Sequence, residues 1–278
     1  MAYQKITINN FEEYITELRD FAVLNDWILE EYVTNLKVFG QNGYNTRLVL
    51  KNIDNSVYVG YQIYYDYDST ITTTSGYKNL NDCYINVNVF SSYDNTKTFQ
   101  NQENAYTSNV YFSFRDETLA SLYIQLNTNR IVTSVHSSSY LSNCFVGKYL
   151  GFGSELEQPF QYFISCQNTQ SSLLSSIVNV NSFRNIKMNF LGDYNSVSYI
   201  YPNDISMNTI MRNDDFTYTL YPIQFFTNDN YAIGELDSIY LISSDRAAIG
   251  FEFTLNSVDY IVLSYYDNNN TLYCIPKN

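Results

Sequence analysis

The feature that most constrains this chain is a change of period near Tyr32. Before it, apolar residues recur at helical spacing; after it, helical period does not return and short alternating apolar and polar runs take over, separated by clusters of Asn, Asp, Gly and Ser. Alternation with a period of two places successive side chains on opposite faces of a strand, so most of the chain must find partners in sheets.

The N-terminal segment reads as one amphipathic helix. Asn9 followed by Glu12 has capping-box spacing, and Phe11, Tyr14, Ile15, Leu18, Phe21 and Ala22 make one apolar face. Glu12 and Glu13 fall in the first turn, where the helix dipole favours them. Asn25 is expected to end the helix in a left-handed conformation, and Trp27 to pack back on it.

Beyond the helix, Val57, Val59, Tyr61, Ile63 and Tyr65 predict one face of a strand. Ile85, Val87 and Val89 predict the apolar face of another, with Tyr84, Asn86 and Asn88 on its polar face. The Ser/Thr-rich segment 66–76 between them reads as an exposed loop. Val110, Phe112 and Phe114 alternate in turn. Residues 119–126 and 131–136 predict a hairpin across a polar turn of Asn127, Thr128, Asn129 and Arg130. On this reading Leu122, Ile124 and Leu126 share one face, Ile131, Thr133 and Val135 another, and His136 lies on the alternate face beside a serine run. The run CFVGKYLGFG, residues 144–153, carries three glycines and predicts a bend or close backbone approach.

Residues 167–203 are polar and weakly patterned, and no strand is assigned there. Residues 235–242, 250–255, 259–266 and 272–275 predict four strands of a C-terminal meander or small barrel. The expected architecture is mainly β: an N-terminal α-helix, an antiparallel β-sandwich-like body and a small C-terminal β-barrel or meander. The expected division is a helical segment over 1–37, a main domain over 38–220 and a β subdomain over 221–278.

The balance of 28 acidic against 15 basic residues, a formal charge of -13, argues against collecting nucleic-acid phosphates. Arg184 with Lys187, and Arg246 alone, are too sparse for a basic stripe. No run approaches the roughly 18 apolar residues of a membrane span, and the start MAYQKITINN has no apolar stretch suited to export, so cytoplasmic synthesis is expected. Cys83, Cys144, Cys166 and Cys274 stand apart with no C-x-x-C pair, which predicts buried free thiols rather than a zinc or dithiol site. The 29 tyrosines, each an apolar ring with a polar tip, suit half-buried strands and protein interfaces.

Candidate chemistry is thin. His136, the single histidine, is followed by Ser137, Ser138 and Ser139, but no Gly-x-Ser-x-Gly elbow presents a nucleophile. The acidic pairs Asp116 and Glu117, Glu155 and Glu157, and Asp214 and Asp215 have the residue types of glycoside hydrolysis without the separation that would identify it. Asp66 and Asp68 begin a calcium-loop pattern that fails at Tyr77, where a glutamate is required. Gly151-Phe152-Gly153 lacks the third glycine of a nucleotide fingerprint. No catalytic residue, metal or cofactor is predicted.

Three blocks in order resemble a family of virion structural proteins of tailed double-stranded DNA phages. They are FEEYITELRDFAVLNDW (11–27), the central block from Tyr111 to Gly153 with its Tyr149-Leu150-Gly151-Phe152 motif, and the closing segment that starts at Gly234-Glu235-Leu236-Asp237. The resemblance implies a non-enzymatic particle component assembled in the host cytoplasm, in the head-to-tail connector, neck or tail-completion region. It implies self-association into a ring of on the order of six or twelve copies, contacts with neighbouring phage proteins and no membrane partner. The alternative expectation is a receptor- or carbohydrate-binding tail or baseplate protein, since exposed tyrosines can stack on sugar rings.

Overall fold

The computed structural model describes residues 1–34, 44–65, 83–111, 119–137, 141–151, 162–168, 171–175, 186–188, 220–227, 232–243, 247–265 and 271–277. The chain is mainly β, with antiparallel pairing and one α-helix near the N-terminus. It divides into two compact units, residues 1–147 with 162–178, and residues 148–161 with 179–278. The chain passes between the units three times, after residues 147, 161 and 178.

In the first unit, strand β1 (Ala2–Ile8) leads into helix α1 (Phe11–Leu24). The helix begins one residue later than the sequence predicts. Asn10 is the N-cap, its Oδ1 accepting the Glu13 N–H at 2.8 Å, while Glu13 Oε2 accepts the Asn9 N–H at 2.7 Å. Two orphan donors are thereby satisfied reciprocally. At the other end Asn25 has φ -116, so it does not take the left-handed conformation; Asp26 does, at φ 68. Trp27 is buried, but its indole N–H donates to the Asn127 carbonyl at 2.9 Å, so it ties the helix end to the hairpin turn.

Five strands then form one sheet in sequence order: β2 (Ile28–Thr34), β3 (Tyr44–Lys51), β4 (Tyr58–Tyr65), β5 (Cys83–Phe90) and β6 (Tyr106–Tyr111). Strands β7 (Ala120–Leu126), β8 (Arg130–His136) and β9 (Leu141–Lys148) follow. The chain lends β10 (Leu150–Gly151) to the second unit and returns as β11 (Tyr162–Asn168) and β12 (Ser171–Ser175). The second sheet has the order β1-β7-β8-β9-β11-β12.

Helix α1 is held by both sheets of this unit. Tyr14 Oη bonds Thr133 Oγ1 of β8 at 2.6 Å, whereas Glu12 accepts from Thr46 of β3 and Thr16 Oγ1 meets Tyr32 Oη of β2 at 3.2 Å. Phe11, Tyr14, Ile15, Leu18 and Ala22 are buried as a result. The hairpin register places Leu122 opposite Val135, Ile124 opposite Thr133 and Leu126 opposite Ile131. Directly opposed residues point the same way, so the two triads read as separate faces form a single apolar face toward the helix. Arg130 is not a turn residue but the first residue of β8, with its side chain buried; the turn is residues 127–129, held by Asn127 Oδ1 accepting from the N–H of Asn129 and of Arg130.

The alternation in β4 and β5 is present, and Val57, Val59, Tyr61, Ile63, Ile85, Val87 and Val89 are all buried. The polar face is buried as well: Gln62, Asn86 and Asn88 are enclosed, and Asn88 Nδ2 donates to Asn86 Oδ1 at 2.6 Å, while residues 91–105 close over Gly60 and Val49. Phe99 of this covering segment lies on Gly60, where an added Cβ would stand 2.5 Å from the ring.

The second unit contains β10, β13 (Ile186–Met188), β14 (Tyr221–Thr227), β15 (Ala232–Ser243), β16 (Glu252–Leu255), β17 (Val258–Tyr265) and β18 (Thr271–Pro276). Its sheet has the order β13-β14-β15-β18-β17-β16, with β10 paired to β15. The last three strands are a meander whose final member, β18, returns beside β15. A two-residue turn joins β16 to β17, with Asn256 at φ 52 and Ser257 at φ 65, the left-handed pair that matches strand twist. Ile242, Phe253, Tyr260, Val262, Leu272 and Cys274 form one core cluster here. Strands β12 and β13 fall in residues 167–203, where the sequence assigns none, and β11 only ends there. Among the described residues no helix is long and apolar enough to cross a membrane.

Candidate functional site

Among the described residues a polar constellation lies on the face of the six-stranded sheet opposite the helix. Strand pairing puts Lys5, Tyr123, Ser134 and Asn143 in one row and Ser121, His136 and Leu141 in the next. The His136 ring is 4.5 Å from the Tyr123 ring, and Lys5 Nζ lies 5.1 Å from the centroid of Tyr123. Ser134 Oγ is 2.8 Å from His136 Nε2 and 2.6 Å from Asn143 Oδ1. One row further, Arg130 Nη2 donates to Gln125 Oε1 at 3.2 Å.

A serine beside an imidazole is the residue pair of nucleophilic catalysis, so the proton inventory matters. The Ser134 hydroxyl has one proton, and the Asn143 carbonyl oxygen takes it, which leaves His136 Nε2 as the donor to Oγ. That is the reverse of general-base activation. With the Asn143 amide turned over, the hydroxyl would donate to Nε2 instead, yet Ser134 is 0% exposed in either case and no acyl carbon reaches Oγ while the face is closed. The arrangement as it stands cross-braces β8 and β9.

A second constellation is on the five-stranded sheet. Arg47 donates to Glu31 and to Tyr93, and the Tyr93 hydroxyl donates to Glu31, closing a three-residue ring over the sheet. Arg47 also lies 5.2 Å from the Phe99 centroid, and Phe90 stacks on Tyr93 at 5.8 Å. Burial raises the Tyr93 phenol well above its ordinary range, reinforced by its bond to Glu31 and opposed by Arg47. Burial disfavours the Arg47 charge, but the hydrogen bonds and charges of Glu31 and Tyr93 together outweigh it and the net shift is upward. This cluster latches segment 91–105 onto the sheet.

The structure thus brings His136 together with Ser134. Sequence reading missed Ser134 although the signal was present: residues i and i-2 of a strand share a face. Asn143 and the Glu31–Arg47–Tyr93 ring left no comparable local signal, since their partners come from other strands. Cys144 and Cys274 are buried free thiols, and burial pushes the Cys274 thiol far up. Cys83, Cys166 and Lys187 belong to β5, β11 and β13. Asp66, Asp68, Tyr77, Phe112, Phe114, Asp116, Glu117, Ser138, Ser139, Phe152, Gly153, Glu155, Glu157, Arg184, Asp214, Asp215 and Arg246 lie outside the described residues. Among the described residues no group of three or more His, Cys, Asp or Glu side chains could hold a metal ion.

The Tyr149-Leu150-Gly151 and Gly234-Glu235 segments are brought together in the second unit. Leu150 pairs with Glu235 and Gly151 with Gly234, and a Cβ on Gly234 would stand 2.4 Å from the Leu150 carbonyl oxygen. A scan of the chain against protein-family models gives no match, and a search of the curated proteins gives none either.

Proposed function

We propose that this chain is a non-enzymatic structural component of a tailed phage particle, assembling as a homo-oligomeric ring in the head-to-tail connector, neck or tail-completion region. The observation that carries the reading is the pairing of β10 with β15. Two of the segments on which the resemblance rests, more than eighty residues apart in the chain, meet in one ladder where Gly234 is sterically required. Motifs that depend on each other's backbone behave as parts of one architecture.

The polar clusters support the same reading from a second side. Ser134 and Asn143, like Arg47, Glu31 and Tyr93, are engaged with one another across strands. The charge of -13 suits a ring through which DNA passes, since an acidic lumen repels phosphates and leaves the genome mobile.

Localisation in intact virions by cryo-electron microscopy is the direct test, with a fixed copy number in a neck or tail-completion ring as the expected result. Absence from every particle would remove the proposal. The second reading, a receptor- or carbohydrate-binding tail or baseplate protein, has Phe251 in its favour: this ring is 38% exposed and stacks on Phe253 at 6.1 Å. Retention on a glycan array, lost in Phe251→Ala, would support that reading over the ring.

A further inference from the structure

Segment 91–105 joins β5 to its sheet neighbour β6 but takes no part in their ladder. Its ends are tied together. The N–H and the hydroxyl of Ser91 both donate to the Glu103 carbonyl, at 3.0 and 3.1 Å, and Asn104 Nδ2 donates to Ser91 Oγ at 3.1 Å. Beyond this neck the buried Gln102 side chain is the hub. Its Oε1 accepts the Asp94 N–H at 2.8 Å, and its Nε2 donates to the carbonyls of Asp94 at 2.8 Å and Lys97 at 3.2 Å. Asp94 Oδ1 in turn accepts from the N–H and the hydroxyl of Thr96, at 3.0 and 2.6 Å. A compact loop with adjoining ends, packed by its own polar groups, keeps its shape without the surface beneath it.

Its hold on that surface is of a different kind. Among the described residues, the hydrogen bonds from the segment to the sheet all run through one atom, the Tyr93 hydroxyl, which accepts from Arg47 and donates to Glu31. The other attachment is apolar. Phe99 fills the space above Gly60 in one cluster with Val49 and Phe90, against which Tyr58, Tyr93 and Ala105 pack. Arg47 touches both attachments, its guanidinium lying 5.8 Å from the centroid of the Tyr93 ring and 5.2 Å from that of Phe99. Parting the segment from the sheet therefore breaks no ladder bond and none of the bonds that shape the segment itself. An opening of that kind costs less than unfolding the unit.

We propose that segment 91–105 is a hinged flap, latched by Arg47, that lifts from the five-stranded sheet as one body when the Tyr93 hydroxyl leaves Arg47 and Glu31. Lifting withdraws Phe99 and uncovers a socket lined by Val49, Tyr58, Gly60 and Phe90. The device rests on the geometry of this sheet and is independent of assembly into a particle.

The test is thiol labelling of the full chain carrying Val49→Cys, a swap of one small apolar side chain for another at a position that is 0% exposed. The folded protein is treated with iodoacetamide, and each cysteine is followed by peptide mass spectrometry. Cys144 of β9, a buried free thiol of the same unit, reports opening of the unit as a whole. Position 49 is expected to react faster than Cys144. Adding Tyr93→Phe keeps the ring but removes both bonds of the hydroxyl, and should speed labelling at position 49 by about tenfold or more while leaving Cys144 unchanged. Tyr58→Cys is a second reporter, since Tyr58 lies 6.5 Å from the Tyr93 ring, and the same acceleration is expected there. Hydrogen exchange of the amides of residues 94–102 should be the same with and without Tyr93→Phe, because the Gln102 hub travels with the flap. The proposal is overturned if position 49 and Cys144 react at one rate, or if Tyr93→Phe accelerates both alike or neither. It is also overturned if the 94–102 amides lose protection in step with labelling, since the segment would then unravel instead of lifting.

Discussion

Gly60 lies under the Phe99 ring, and its missing side chain is what lets segment 91–105 close over the five-stranded sheet. Gly60→Ala puts a methyl 2.5 Å from Phe99 Cε2, so the ring must move away from Phe90 and Val49, with which it forms one buried cluster. We expect a loss of about 1–3 kcal/mol, the usual cost of overpacking, measured as a lower denaturant midpoint. His136 makes the opposite case. His136→Ala removes one hydrogen bond to Ser134 and the contact with the Tyr123 ring, and should cost about 1 kcal/mol while leaving the fold and assembly intact. Circular dichroism and sedimentation of the variant check this; collapse of the fold would assign His136 a deeper role. Neither residue announces its weight in the sequence. Gly60 reads as one glycine in an alternating strand, and the single histidine attracts notice that its surroundings do not sustain.

Helix α1 shows what an element's own residues specify and what they leave open. Its apolar spacing and its acidic first turn are legible, yet the doublets Asn9-Asn10 and Glu12-Glu13 offer the same capping spacing in two registers. The choice falls on Asn10, in the register where Tyr14 reaches Thr133 and Glu12 reaches Thr46 on the two flanking sheets. Asn10→Ala should therefore cost about 1 kcal/mol, and Asn9→Ala less; thermal melts of the two distinguish the caps. Strands β7 and β8 behave similarly. Their existence follows from alternation, but only the register shows that Ile124 and Thr133 sit side by side beneath the helix. Ile124 is 0% exposed, so Ile124→Asp would bury a carboxylate among apolar neighbours and should yield insoluble or unfolded protein on expression. Soluble, folded Ile124→Asp would contradict the assignment of this face as core.

For the molecule as a whole, buried weak acids set the response to alkali. Burial raises Cys274, Tyr93 and Tyr260 above their ordinary values of 9.0, 10.0 and 10.0. Folded, these groups hold their protons; unfolded, they release them as pH passes those values, so the unfolded state binds fewer protons and gains. Their contribution is complete below about pH 9 and declines above it. Denaturant midpoints should be flat from neutral pH to that point and then fall, with a shallower decline in Cys274→Ala. A midpoint that rose through this range would contradict the burial of Cys274. The sequence by itself determined the period of most segments, hence one helix and many strands, because backbone preference and side-chain alternation act over a few neighbouring residues; β1, which precedes the helix, was not legible there. Tertiary structure alone decided which strands meet: β10 joins β15, β18 returns between β15 and β17, and Phe99 closes over Gly60 of β4. Those choices depend on what covers each face and closes each edge, and the covering groups come from residues distant in the chain.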